Sequence, residues 1–373
     1  MRHLDCLIRK SMSTPDTNAL VAATLRDLAA VQRGKQSAWG YKRAAAAVLE
    51  LEQPIERYVE PDGSLRKIAH VGPKSEQVVL DVLRTGKSAI VERAIVESGK
   101  TDEIAVRRRL REHFLSRAKV RDALDHAAPG TPALSDYRGD LQMHSVWSDG
   151  GQTFADIARG GLERGYEYSA VTDHSYGLRI AGGVPMADIP EQHAEIDAVN
   201  AEYAGRFRIL KGIEANIRAD GSVDLQPDEL ARFELVVAAP HSVLRSLADQ
   251  TPRMLRAVST RGVHILGHPR GRIWGSRPGV SADWNAVFAA AAALNVAIEI
   301  DGDPSRQDID FALARRAVAA GCLFALDSDA HAVEQLRYAE TAIAHARLAG
   351  VPVERVVNCW PMAQLIDWMD SRR

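Results

Sequence analysis

In the last two thirds of this chain, short apolar runs that read as strands are closed, one after another, by a histidine, glutamate or aspartate. Residues 169–171 lead into Thr172-Asp173-His174, 207–210 into Gly212-Ile213-Glu214, 235–238 into Pro240-His241-Ser242, and 264–266 into Gly267-His268-Pro269. Two further strings, Asp140-Leu141-Gln142-Met143-His144-Ser145 before Ser148-Asp149-Gly150, and Leu326-Asp327-Ser328-Asp329-Ala330-His331, open and close the series. Residues two apart on an extended strand share a face. Gln142 with His144, and Asp329 with His331, can therefore each aim two donor atoms at one point. Helical segments at 153–164, 188–204, 252–260, 284–294, 308–320 and 333–349 separate the runs. Strand and helix in alternation imply a parallel sheet with crossover helices. About seven strands with polar ends predict a closed or nearly closed α/β barrel, with its functional groups gathered at the C-terminal strand ends.

The front of the chain reads differently. At 373 residues the length suits two domains. Leu20, Leu25, Leu28 and Val31 recur at helical spacing, and 41–51 is an alanine-rich helix stopping before Pro54. Residues 68–75 read as a tight glycine turn between helices, the second running through Val78, Val79 and Leu83 to Gly86. Residues 101–126 read as one charged helical stretch carrying Arg107, Arg108, Arg109, Arg111, Arg117, Lys119 and Arg121, and 127–136, with Pro129, Gly130 and Pro132, as a linker. The expected division is a helical domain at 1–99, a basic connector and linker at 100–136, and the barrel at 137–373.

Residues 1–135 hold 23 Lys/Arg against 17 Asp/Glu, and the remainder 24 against 32. That split pairs a part suited to anions with a part suited to cations. Cys6, Cys322 and Cys359 are far apart and show no C-x-x-C spacing, so neither a disulfide framework nor a cysteine zinc site is suggested, and a reducing, cytoplasmic setting follows. No apolar run approaches the ~20 residues of a membrane span, and the start of the chain is a poor signal peptide. A cytoplasmic protein without a membrane partner is expected.

Nine positions carry ligand chemistry: Gln142, His144, Asp149, His174, Glu214, His241, His268, Asp329 and His331. Imidazole and carboxylate together suit borderline divalent metals such as Zn²⁺ or Mn²⁺. Nine ligands exceed the needs of one ion, so two or three ions sharing a carboxylate are expected, an arrangement that serves phosphoester hydrolysis. Five of the twelve histidines lie in these strings; His3, His70, His113, His126, His193, His264 and His345 read as structural or solvent-exposed.

With those motifs in order, residues 137–373 resemble the PHP (polymerase and histidinol phosphatase) family of metal-dependent phosphoesterases. More closely, 139–151, 170–183 with Arg179-Ile180-Ala181-Gly182-Gly183, and 296–303 are similar to the PHP domain at the C-terminus of bacterial family X DNA polymerases. The resemblance implies a distorted seven-stranded barrel, two or three divalent ions (Mn²⁺, Zn²⁺ or Fe²⁺), and 3′–5′ exonuclease and related 3′-end or abasic-site processing. It further implies one ion on His144, Glu214 and Asp329, with Gln142 where most relatives place a histidine. A second would sit on Glu214, His241 and His268, and a third on Asp149, His174 and His331. Polymerase-linked relatives share the Gln142 change. Glu214, His144, Asp329 and His331 carry the catalytic expectation. Arg179, Arg270 and Arg272 follow ligand strands closely enough to grip a substrate phosphate.

Residues 17–99 resemble the N-terminal helical domain of the same polymerases, including a helix-hairpin-helix that implies DNA backbone contacts at Lys67, Gly72 and Lys74. Two departures stand out: His70 replaces the usual first glycine, and Pro73 removes an amide donor. Fewer than forty residues lie between Gly99 and Tyr137, too few for a polymerase palm, so polymerase activity is not expected. The arginine-rich stretch then reads as a connector that lies along nucleic acid with a salt-sensitive grip. Two functions follow as alternatives: a DNA phosphoesterase, or a small-molecule phosphatase of the histidinol-phosphate kind.

Overall fold

A computed structural model describes residues 15–126 and 128–372; His3, Cys6 and Ala127 lie outside the described residues. The chain forms two compact units, divided after His126, with Trp274–Ser276 assigned to the first. The basic stretch is therefore part of the helical unit and not a separate connector.

In the first unit, helix α1 (Thr17–Val31) opens where the Asp16 side chain accepts from the Ala19 amide, satisfying one donor a helix start leaves unpaired. Val21, Leu25 and Leu28 recur on its buried face, while Leu20 is exposed. That face packs with Ala44, Ala45 and Val48 of α2 (Lys35–Leu49), Val78, Val79 and Val82 of α3 (Pro73–Thr85), Val91 and Ile95 of α4 (Ala89–Ser98), and Ile104 of α5 (Thr101–Arg109).

Two expectations for this unit are corrected. The charged stretch is two helices, α5 and α6 (Arg117–Asp125), because Ser116 begins a new one. The Ser116 amide and hydroxyl both donate to the Asp16 carboxylate at 2.7 Å, while its hydroxyl caps Lys119. The turn at 68–72 is not preceded by an α-helix: a single 3-10 turn (Ile55–Tyr58) and a bridge between Val59 and Leu65 stand there instead. Gly72 caps α3 without a side-chain hydrogen bond, and Pro73 occupies its first turn. His70 adopts φ +64°, the left-handed region that favours glycine.

The second unit is a seven-stranded parallel sheet in strict sequence order: β1 (Gly139–Asp140), β2 (Tyr168–Val171), β3 (Arg208–Asn216), β4 (Leu235–Ala239), β5 (Ile265–Leu266), β6 (Ala297–Asp301) and β7 (Leu323–Asp327). A parallel bridge between Met143 and Ala330, with the His144 amide donating to the Ala330 carbonyl at 2.8 Å, brings the first and last strands together. The barrel is thus nearly closed. Crossover helices run between the strands, and the segment at 333–349 splits into a 3-10 turn (Val333–Tyr338) and a helix (Ala339–Ala349).

One end of the barrel interior is apolar. Tyr168, Leu210, Leu235, Ile265 and Ala297 pack with Trp360, Leu365, Trp368 and Met369 of the C-terminal segment, each buried large side chain contributing about 1.5–3 kcal/mol. Farther along the same inward positions, β3 supplies Glu214, β6 Glu299 and Asp301, and β7 Asp327, all fully buried. An apolar floor under a charged mouth gives the barrel one functional end. Among the described residues, no helix is long and apolar enough to cross a membrane.

Candidate metal centre

Glu214 sits inside β3, which continues past the apolar run that announced it. Its Oε1 lies 3.0 Å from His268 Nε2 and 3.2 Å from His241 Nε2; its Oε2 lies 3.0 Å from His174 Nδ1 and 3.5 Å from His144 Nε2. His144 Nε2 is also 2.9 Å from Asp329 Oδ1. Asp149 Oδ1 faces His331 Nε2 at 3.4 Å and His174 Nε2 at 3.5 Å. Stacked or edge-on contacts, with centroids 4.3–5.3 Å apart, link the five imidazoles in the order His331, His144, His174, His241, His268.

Local folding explains this convergence. The side chain of Asp173, beside His174, is not in the cluster; it accepts from the Ser145 amide and from the Ser145 and Ser148 hydroxyls, holding the loop that carries Asp149. Gly150 lets that loop fold back, because a Cβ there would collide with the His144 carbonyl. Asp329 adopts φ +52°, a left-handed conformation that costs a non-glycine residue about 1 kcal/mol and is tolerated where the surroundings enforce it.

Three groups have donor atoms within 4.8 Å of one another: His144, Asp149, His174 and His331; His174, Glu214 and His241; and His144, Glu214 and Asp329. These differ from the expected sets in two ways. His174 stands between Glu214 and Asp149, and His144 reaches two groups. His268 faces the Glu214 oxygen that also faces His241.

The donor set fits divalent cations. His174 Nδ1, His241 Nε2 and Glu214 Oε2 are buried without a well-directed hydrogen bond among the described residues, although ligand-type neighbours stand 3.0–3.5 Å away, and His144 Nδ1, likewise buried, faces Asp149 Oδ1 at 4.0 Å. Ligands about 2.1 Å from an ion stand about 3.4 Å from each other in a tetrahedral shell. Groups that converge without pointing at one another are arranged for a shared ion.

The same proximity sets the charges. Burial would raise Glu214, but the His174 and His241 imidazoles hold it well below the usual carboxylate range. Burial likewise opposes ionisation of Asp329, and the Arg306 guanidinium and His144 overcome it. Burial would lower His331, yet its bond to Asp149 and the nearby Asp329 charge raise it to about 9. Farther in, Asp140, Glu299 and Asp301 are pushed well above the carboxylate range, chiefly by burial and then by neighbouring acids, and burial raises Asp327 to about 6.

Two expected phosphate ligands are otherwise engaged. Arg272 is buried, and its guanidinium donates to the Arg306 and Gln307 carbonyls and to Asp310 Oδ2 at 3.0, 2.7 and 3.0 Å. Arg270 pairs with the same Asp310 oxygen at 3.3 Å. Asp310 in turn caps the next helix, so both arginines brace a loop. Arg179 is exposed on a one-turn 3-10 helix. Gln142 is fully buried, with neither amide atom bonded among the described residues. Lys67, Gly72 and Lys74 lie exposed in the helical unit.

Sequence reasoning missed Arg306, whose guanidinium pairs with Asp329 Oδ2 and lies 3.5 Å from Asp301 Oδ2. It follows β6 by five residues, the kind of loop position that marked the other candidates. β6 ends in no histidine, so no signal drew attention there. The buried acids Asp140, Glu299 and Asp327 were likewise passed over.

No family profile matches the chain. Over 226 residues it is 35% identical to the DNA polymerase/3′-5′ exonuclease PolX of Bacillus subtilis, covering 60% of this chain and 40% of that protein. Over 247 residues it is 30% identical to a probable phosphatase of Enterobacter sp. (strain 638), covering 63% of this chain and 95% of that one. The chain belongs to the PHP family. As a PHP phosphoesterase it is a hydrolase acting on phosphate esters. Among solved structures, a histidinol phosphate phosphatase of Lactococcus lactis complexed with zinc, L-histidinol and phosphate aligns at 18% identity and a TM-score of 0.42, over 56% of this chain and 94% of that one. This PHP chain spans two fifths of the PolX relative and nearly the whole of the phosphatase.

Proposed function

We propose that this PHP phosphoesterase hydrolyses DNA phosphoesters in repair, removing nucleotides 3′ to 5′ or processing blocked 3′ ends and abasic sites in the cytoplasm. The observation that carries the reading is the 35% identity to a polymerase-exonuclease, above the 30% to the phosphatase, joined to Gln142 in the first ligand string, which the polymerase-linked relatives share. Two or three divalent ions, Mn²⁺, Zn²⁺ or Fe²⁺, would be held by His144, Asp149, His174, Glu214, His241, His268, Asp329 and His331, with Gln142 as a weaker neutral donor. When bound, such ions activate water and neutralise charge developing on the phosphoryl oxygens. Glu214 offers one oxygen to each side of the cluster and so sets the spacing of whatever the histidines hold. Arg306 draws the outer oxygen of Asp329 and leaves the inner one facing His144. Arg179 is exposed and remains available to a phosphate.

A second reading, a phosphatase for a small ester, is favoured by the near-complete overlap with the probable phosphatase. Purified protein with Mn²⁺ is given 3′-labelled single-stranded DNA, duplex DNA and histidinol phosphate in parallel. Nucleotide release from DNA is expected. Phosphate released from histidinol phosphate with both DNAs intact would overturn the DNA reading.

A further inference from the structure

We propose that Arg253 is the positioning residue that sets His241 against Glu214, tying the segment after β3 to the segment after β4. It lies in the helix Thr251–Ser259, outside the ligand strings, and is 4% exposed. Its Nε donates to the Arg218 carbonyl at 2.8 Å and its Nη2 to the Ile217 carbonyl at 2.6 Å, both just past the end of β3. Nη1 donates to the Ser242 carbonyl at 2.9 Å and to Gln250 Oε1 at 2.7 Å, and Nη2 reaches Ser242 Oγ at 3.3 Å. All five guanidinium hydrogens are thereby used. Burial, with no carboxylate to offset it, pushes the Arg253 pKa down.

A buried cation without a counter-charge is a costly way to satisfy carbonyls, but its planar fork fixes several of them at once. What it fixes flanks the candidate ligands: Glu214 stands three residues before Ile217, and His241 directly before Ser242. Asn216 Oδ1, at the end of β3, lies 3.3 Å from His241 Nδ1, while the far ring nitrogen, Nε2, meets Glu214. The backbone after His241 is also strained. Val243 has φ +58°, a left-handed conformation that is an outlier for a β-branched residue. Its carbonyl accepts from Gln250 Nε2 at 3.1 Å, and Gln250 is itself held by Arg253. Such strain persists only where the surroundings enforce it, and Arg253 with Gln250 does so here.

This role rests on the metal reading of Glu214 and His241, and it is tested without turnover. Full-length protein stripped with EDTA is titrated with Mn²⁺ by calorimetry. R253K, which keeps the charge but not the fork, should weaken Mn²⁺ binding about tenfold, and R253M by up to about 100-fold. R256A removes an exposed partner of Asp220 one turn along the same helix and should bind as wild type. V243G relieves the left-handed strain, so V243G/R253K should recover about fivefold over R253K, a rescue that a residue supporting the fold alone would not show. Urea unfolding of each stripped variant separates lost affinity from lost folding, with R253K carrying the test if R253M does not fold. Wild-type affinity in R253K, an equal loss in R256A, or no recovery in V243G/R253K would overturn the proposal. A wild-type protein that binds no Mn²⁺ would refute the metal reading as well, whereas wild-type binding with R253K unchanged refutes the role of Arg253 alone.

Discussion

The barrel mouth and the arginine-rich helices each concentrate charge, and they resolve it in opposite ways. At the mouth, imidazoles and carboxylates converge several to a point, each oxygen of Glu214 facing two histidines. In the arginine-rich helices, Arg107, Arg108, Arg111, Arg117 and Arg121 are each answered by a carboxylate. Arg108 Nε and Arg111 Nη1 hold the buried Asp27 at 2.6 and 2.5 Å; Arg107 pairs with Glu103, and Arg117 and Arg121 with Glu52. The density of like residues in a sequence therefore does not identify a binding surface. What separates the two regions is whether the fold gives a charge its own partner or gathers several groups on one point.

The sharpest test of that contrast is at Glu214. Glu214→Gln preserves shape while removing the shared charge, and should lower turnover by at least about 100- to 1,000-fold together with metal content measured by elemental analysis. Full activity in that variant would remove its bridging role. Asp27→Asn should leave turnover on a small ester near wild type but destabilise the helical unit by about 3–5 kcal/mol in urea unfolding, because it strands buried Arg111. A smaller loss, about 2 kcal/mol, is expected for Arg272→Met. Its KM should not change, whereas a KM rise of tenfold or more at unchanged stability would return Arg272 to the substrate.

Protonation tests the mouth more finely. His331 in the fold stands at about 9, above its ordinary 6.5. Its pairing with Asp149 thus stabilises the metal-free protein fully below about 6.5, and that contribution is lost as pH rises through about 9. Metal must displace the same proton, so affinity should rise about tenfold per pH unit between 7 and 9 for each proton released. A pH-independent affinity over that range, by calorimetry, would take His331 out of the ligand set. The smallest effect belongs to Arg107→Ala, an exposed pair worth less than about 0.5 kcal/mol, with DNA affinity changed less than twofold.

Much of the barrel mouth was legible because strand ends place ligands by a local rule: a histidine closing an apolar run arrives at the same end of a parallel barrel wherever the run lies in the chain. What that rule could not reach depends on distant partners. Arg272 looks free in sequence and is claimed by Asp310, 38 residues on. Arg306 looks ordinary and meets Asp329 because β6 and β7 are neighbours. The charged stretch at 101–126 looks continuous, and breaks because Asp16, 100 residues earlier, seizes Ser116. Glu299 and Asp327 carry no signal of their own in the sequence, and the strand register turns them inward.

The account depends on cations occupying the space between Glu214, Asp329, Asp149 and the five histidines. Anomalous diffraction from crystals grown with Mn²⁺ measures this directly. Two or three peaks are expected among those side chains, at least one of them within bonding distance of Glu214. A cluster without peaks, in protein whose phosphoesterase activity survives EDTA, would contradict it.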